Sequence, residues 1–197
     1  MQRRNILFAA LVALLLVGIV LYQYSLPPML YGAIIDPPKL MTNFTLSGQN
    51  GAVSLADFRG KVTVLFFGFT NCTDVCPATL AKLSEALNRL GDRAEQVQVV
   101  FISVDYKRDT PKISGAYASQ FRPDFLGLAG SQAEIEAVTR DFGIFYKLGE
   151  PDAKGNYELE HTASVLVIDR QGQLEMTWTS EQQPDEIASD LGVLLGR

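Results

Sequence analysis

The chain has 197 residues, 47% of them hydrophobic, enough for one domain with a sizeable core and an appendage of a few dozen residues but not for two such domains. All 22 acidic residues lie after position 35, whereas Arg3 and Arg4 precede it; the remainder sets 15 basic residues against those 22, a net charge of −7 that argues against nucleic acid as a partner. Two cysteines separated by three residues, and one histidine, confine any soft-metal or thiol chemistry to very few atoms.

In chain order, residues 6–21 form an uncharged apolar run behind Arg3 and Arg4, and Tyr22 and Tyr24 follow it, where aromatic rings suit a membrane interface. As a helix the run spans roughly 24 Å, short of a hydrocarbon core of about 30 Å, and the tyrosines and Leu26 extend it into the headgroups. Residues 1–25 are therefore expected to be a single-pass membrane anchor with a cytoplasmic N-terminus, the rest of the chain being extracytoplasmic. No A-x-A-like cleavage site follows the run, as a secretory signal would require, and neither cysteine lies near its end, as a lipoprotein would require. An anchor beginning at residue 6 leaves no room for an Arg/Ser-rich transit peptide, which favours a bacterial plasma membrane. Pro27, Pro28, Pro37 and Pro38 predict an extended tether over residues 26–41, because each fixes φ and lacks a donor. Residues 42–197 remain as the folded domain.

Residues 44–47 and 53–55 flank Gly48-Gln49-Asn50-Gly51 and predict a hairpin. Residues 62–69 are a nearly unbroken run rich in valine and phenylalanine, as expected of a central strand covered on both faces. The cysteines follow at once, and Leu80, Leu83, Leu87 and Leu90 then recur at helical spacing. Residues 97–104 predict a second buried strand, and 110–121 a helix crossing back over the sheet. Ser131 with Glu134 is a capping-box signature, and Ile135, Val138 and Phe142 give the helix behind it one apolar face. Residues 163–169 and 174–179 predict a closing hairpin through Arg170-Gln171-Gly172, with Trp178 packing on the sheet, and Ile187, Leu191 and Leu195 a final helix. This α/β pattern resembles a thioredoxin-like fold: a mixed central sheet flanked by helices, with an N-terminal β-hairpin and insertions.

The segment Phe69-Thr70-Asn71-Cys72-Thr73-Asp74-Val75-Cys76-Pro77 places two thiols in a turn leading into a helix, whose backbone N–H groups and dipole favour thiolate. If the helix begins before Cys72, both sulfurs share a face; if it begins near Cys76, with Pro77 in its first turn, Cys72 reaches back from the loop. Either arrangement keeps the sulfurs close. A structural disulfide or a pair of buried thiols is the plainer alternative, but bridging so short a loop stabilises little.

The C-x3-C-P loop after a strand resembles the Sco/SenC family, and so do Ser103-Val104-Asp105 with Arg108-Asp109-Thr110-Pro111, and Glu160-His161-Thr162 before a strand ending Ile168-Asp169-Arg170-Gln171-Gly172. The resemblance runs from about Asp36 to the C-terminus. It implies that Cys72, Cys76 and His161 ligate copper, and that the chain is a metallochaperone delivering copper, or reducing equivalents, to the CuA site of cytochrome c oxidase subunit II. It also implies exchange with other copper chaperones or thioredoxin-like reductants. The donor types agree with this: thiolates select Cu(I), and an imidazole with two thiolates also holds Cu(II), whereas structural zinc ordinarily takes four protein ligands. His161 stands where thiol oxidoreductases of this fold usually have a cis-proline. Asp105 and Asp109, at the carboxyl end of the sheet, either tune the site or contact a partner, or form a solvated loop in which Asp109 caps the following helix. Nothing in the sequence assigns Asp74.

Two other functions use the same cysteines. An extracytoplasmic thiol-disulfide oxidoreductase would reduce the cysteines of the apo-oxidase subunit with Cys72 and Cys76 as catalytic thiols, and would not need His161. A peroxiredoxin-like peroxidase is suggested by Thr73-Asp74-Val75-Cys76, but Phe69 stands where that family has proline, and His161 is left without a role.

Overall fold

The structure is a computed structural model that describes Asn5, residues 12–18, Tyr22, residues 29–153 and residues 156–196. Residues 12–18 are helical, but most of the anchor expected over residues 1–25 lies outside the described residues. Among the described residues, no helix is long and apolar enough to cross a membrane.

The first strand corrects an expectation. Ala33–Leu40 (β1), expected to lie in a free tether over 26–41, pairs antiparallel along the edge of the main sheet. Pro37 and Pro38 fall where the register shifts between Ile34 and Lys39, and on an edge strand their missing donors cost no ladder bond. The segment just before β1 is held by a buried carboxylate: Asp190 accepts from the backbone N–H groups of Tyr31 and Gly32 and from the Trp178 indole, each at 2.9 Å. Gly32 lies so close to Met176 and Trp178 that a Cβ would sit 2.5 Å from the methionine side chain.

The expected hairpin follows as Thr45–Gly48 (β2) and Gly51–Ser54 (β3). Val62–Gly68 (β4) is the centre of the sheet and is buried throughout. Val62, Val64 and Phe66 enter the core on one face, Leu65 and Phe67 the core on the other, as alternation demands of a doubly covered strand. Val75–Leu90 (α1) carries the predicted leucines, all buried against the first face. Each such side chain contributes roughly 1.5–3 kcal/mol. Val97–Ser103 (β5) lies parallel to β4, Pro111–Ser119 (α2) crosses back, and Leu126–Ala129 (β6) pairs parallel to β5.

Gln132–Phe142 (α3) starts with the predicted reciprocal cap: Ser131 Oγ accepts from Glu134 N–H, and the Glu134 carboxylate accepts from Ser131 N–H at 2.7 Å. It packs on the second face. Tyr146–Leu148 (β7) and Leu159–His161 (β8) form a separate two-stranded ribbon. Val165–Ile168 (β9) and Gln173–Trp178 (β10) make the closing hairpin, and Pro184–Leu194 (α4) packs beside α1. The eight-stranded mixed sheet has the order β1-β10-β9-β4-β5-β6-β2-β3. The parallel β4-α1-β5-α2-β6 crossovers joined to the antiparallel β9-β10 hairpin are the expected thioredoxin-like arrangement, and the β2-β3 hairpin is its N-terminal addition.

Removing the Asp190 carboxylate would strand three donors around a site with no solvent exposure. Asp190→Ala should lower stability by about 2–4 kcal/mol in chemical denaturation.

Candidate metal centre

The two cysteines occupy the turn between β4 and α1. Cys72 N–H bonds back to the Phe69 carbonyl, and the helix begins at Val75, so Cys72 reaches in from the loop while Cys76 belongs to the first turn. Asp74 occupies the cap position without a side-chain cap bond; the Cys72 sulfur accepts from Cys76 N–H at 3.3 Å instead. Sulfur thus does the work of an N-cap oxygen, satisfying a first-turn donor. Both cysteines are free thiols.

Their environments differ. Cys76 is fully buried, whereas Cys72 is half-buried beside an open cleft lined by Phe69, Asn71, Asp74, Tyr157 and Glu160. Burial pushes the Cys76 thiol far above its ordinary value, although a backbone hydrogen bond at Phe69 pulls the other way. This corrects the expectation that the helix start leaves thiolates. For Cys76, desolvation outweighs the helix, and without metal the group is a neutral thiol. Gly68 makes room for it: a Cβ there would lie 2.8 Å from Cys76 Sγ and 2.9 Å from the Phe101 ring.

His161, expected in a loop before the penultimate strand, is instead the last residue of β8, paired with Tyr146. Its Nδ1 lies 3.0 Å from the Thr162 carbonyl oxygen. Because that oxygen can only accept, Nδ1 carries the proton and the Nε2 lone pair faces Cys76 Sγ, 3.5 Å away. Phe69 meets the imidazole edge-on at 5.7 Å and Phe66 at 6.3 Å, leaving the ring little freedom to turn. Burial lowers the imidazole's pKa, which keeps it neutral and available as a donor at neutral pH. Cys72, Cys76 and His161 together place one ligand atom each within 4.8 Å of the others. Two sulfurs and one imidazole nitrogen, in an apolar wall of phenylalanine, form a donor set for a soft or borderline metal ion.

Two carboxylates behind the site correct the solvated-loop reading. Asp109 is buried and does not cap α2, since Thr110 does that. Instead it accepts from Thr70 N–H at 2.8 Å, from the Thr70 hydroxyl at 2.6 Å and from the Ser103 hydroxyl, pinning the start of the cysteine loop to the end of β5. Asp105, also fully buried, accepts from the Arg108 guanidinium and the Tyr157 hydroxyl. Arg108 also stacks 3.8 Å above the Tyr157 ring, and so the segment leading into β8 and His161 is clamped. Asp105 and Arg108 stood in the sequence motif. Tyr157, 52 residues away, carried no signal.

The comparisons agree with this geometry. The SCO1/SenC family model matches residues 33–196. The chain belongs to the SCO1/SenC family. A SCO2-like protein of Rickettsia felis is 35% identical over 154 residues, 77% of this chain and 75% of its own length. Bradyrhizobium japonicum ScoI, solved with copper bound, is 39% identical and superposes with a TM-score of 0.72 over 79% of this chain and 99% of that one. BsSco, described as a member of the Sco family of cytochrome c oxidase assembly proteins with a disulfide switch, is 26% identical with a TM-score of 0.64, over 86% and 99% of the two chains.

Two outcomes follow for this SCO1/SenC site. Because the folded imidazole titrates below its ordinary value of 6.5, the unfolded chain takes up the proton first, and stability falls as pH drops below about 6.5. His161→Gln should flatten that part of the pH–stability curve measured by denaturant unfolding. Gly68→Ala should weaken metal binding by about fivefold or more, because overpacking of about 1–3 kcal/mol bears directly on the Cys76 sulfur; competition titration reads this.

Proposed function

We propose that this SCO1/SenC protein is a copper metallochaperone that holds Cu(I) or Cu(II) through Cys72, Cys76 and His161 and delivers it to the CuA site of cytochrome c oxidase subunit II. The carrying observation is the convergence of three ligand atoms within 4.8 Å from a loop, a helix and a separate ribbon. The copper-bound relative and the relative described as a cytochrome c oxidase assembly protein support the reading. Residues 1–25 anchor the chain in a bacterial plasma membrane, with the domain on the extracytoplasmic face; the uncharged run behind Arg3 and Arg4 supports this.

The chain's own residues account for loading and release. His161 offers Nε2 without first losing a proton, because Nδ1–H is committed to Thr162. Cys76 gives up its proton as the metal arrives, and Cys72, beside the open cleft, is the sulfur that an acceptor ligand can approach. Phe66 and Phe69 keep water from the imidazole side, and Asp109 and Asp105 hold the two halves of the site in register.

The same adjacency of thiols favours a second reading, reduction of a disulfide in the apo-oxidase subunit. Cys72 sulfur bonds to one sulfur of that disulfide and releases the other as a thiol; Cys76 then bonds to Cys72 and releases the first. The acceptor gains two electrons and two protons, and this chain is left with a disulfide for a thioredoxin-like reductant to restore.

His161 separates the readings. His161→Ala should abolish the sulfur-to-copper charge-transfer absorption of the Cu(II) form, or cut Cu(II) affinity by about 100-fold, while Cu(I) affinity falls much less and disulfide exchange persists. Wild-type Cu(II) binding together with full oxidase assembly in cells carrying His161→Ala would overturn the copper reading in favour of the reductase.

A further inference from the structure

The sheet register places the point where the chain joins the domain and the metal centre on one edge. β4 runs toward the site and ends at Gly68. In β9, antiparallel to it, Val165 lies opposite Phe66; in β10, Trp178 lies opposite Val165; and in β1, Ala33 lies opposite Thr177. Tyr31 and Gly32 therefore stand at the same end of the sheet as the cysteine loop and His161. The opposite end carries Leu40, Val62, Ile168 and Gln173.

The attachment is firm. Besides the two bonds from Tyr31 and Gly32 to the buried Asp190, the Tyr31 carbonyl accepts from Gln182 at 3.1 Å. Upstream, five residues lie between the end of the anchor at residue 25 and Tyr31, six chain steps with a reach of at most about 21 Å. Across the sheet, three strand spacings of roughly 5 Å separate β1 from β4, about 14 Å.

We infer that the metal-centre edge faces the membrane that anchors the chain, so that its acceptor must offer its receiving groups close to the bilayer surface on the same side. This rests on the anchor reading given above. The site lies within roughly 35 Å of the headgroups at full extension of the tether, and the far end of β4 about 24 Å further out. The carboxylates of the edge suit a hydrated gap rather than insertion, against the pull of three exposed apolar side chains. Met29, Tyr31 and Phe145 are exposed there, Phe145 being hydrogen-bonded through its backbone to Thr162, next to His161. Exposed Asp74, Glu158 and Glu160 share the edge and resist close approach to anionic lipid. The short tether, not lipid binding, sets the orientation.

The test uses the full chain in vesicles of mixed zwitterionic and anionic phospholipid, with an energy-transfer acceptor on a fraction of the headgroups. One variant, Cys76→Ser, takes a donor dye at Cys72; the other, Cys72→Ser with Cys76→Ser and Gln171→Cys, takes it at the opposite edge, where position 171 is exposed. Transfer from position 72 should exceed that from 171 by about twofold or more, given a strand length of ~24 Å between the edges. Inserting about 20 Gly/Ser residues after Ser25 should erase the difference, since such a linker spans ~25 Å on average. Equal or greater transfer from position 171 in chains that float with the vesicles overturns the orientation alone. A difference that survives the insertion overturns the tether as its cause. Failure of the full chain to float overturns the anchor reading and the orientation with it.

Discussion

Two carboxylates at the end of one strand hold this site together. The three candidate ligand side chains come from regions 85 residues apart, and neither the cysteine turn nor the His161 ribbon is a regular part of the main sheet. Asp109 fastens the first through Thr70, and Asp105 fastens the second through Tyr157 and Arg108. Burying a carboxylate costs several kcal/mol unless its lone pairs are met by donors. Here each is met by at least three, and because β5 is parallel to the buried β4 along its whole length, the anchoring point cannot shift without unpacking both faces of the core.

Burial makes the net charge of the site consequential. Without metal, Cys76 is a neutral thiol and His161 a neutral imidazole. With copper held as proposed, two thiolates and Cu(II) would sum to zero, whereas the same groups around Cu(I) would leave one negative charge in an apolar surround. A low-dielectric wall of Phe66, Phe69 and Phe101 would oppose that charge, and the half-buried position of Cys72 beside the open cleft would offset part of the cost.

Much of this architecture was legible where a single physical signal dominates. Burial on both faces makes 62–68 and 97–103 readable as apolar runs, the leucine period marks α1, and Ser131 with Glu134 marks the start of α3. Cys72, Cys76 and His161 were legible as a set through the resemblance to the Sco/SenC family, which the scarcity of such donors only sharpened, and the structure brings all three together. Other elements were silent because tertiary pairing, not local preference, creates them. β6 is four residues containing a glycine, β7 and β8 are three residues each, and β1 contains two prolines that only an edge position tolerates. The state of the Cys76 sulfur was misjudged for a related reason. Helix position is visible in sequence, while the depth of burial that outweighs it depends on Gly68 and Phe101 arriving from other strands.

The ribbon that carries His161 shares no ladder with the eight-stranded sheet, while the two sulfurs grow out of its centre. The three side chains are therefore seated on two different scaffolds. Displacing β7 and β8 breaks no rung of the main sheet but withdraws Leu159 from the core and pulls on the Tyr157 clamp, whereas displacing Cys76 means extracting a buried helix turn from the core. The imidazole and the sulfurs are thus seated on separate sheets, and the bonds from Arg108 and Tyr157 to Asp105 at the end of β5 are what couple one to the other.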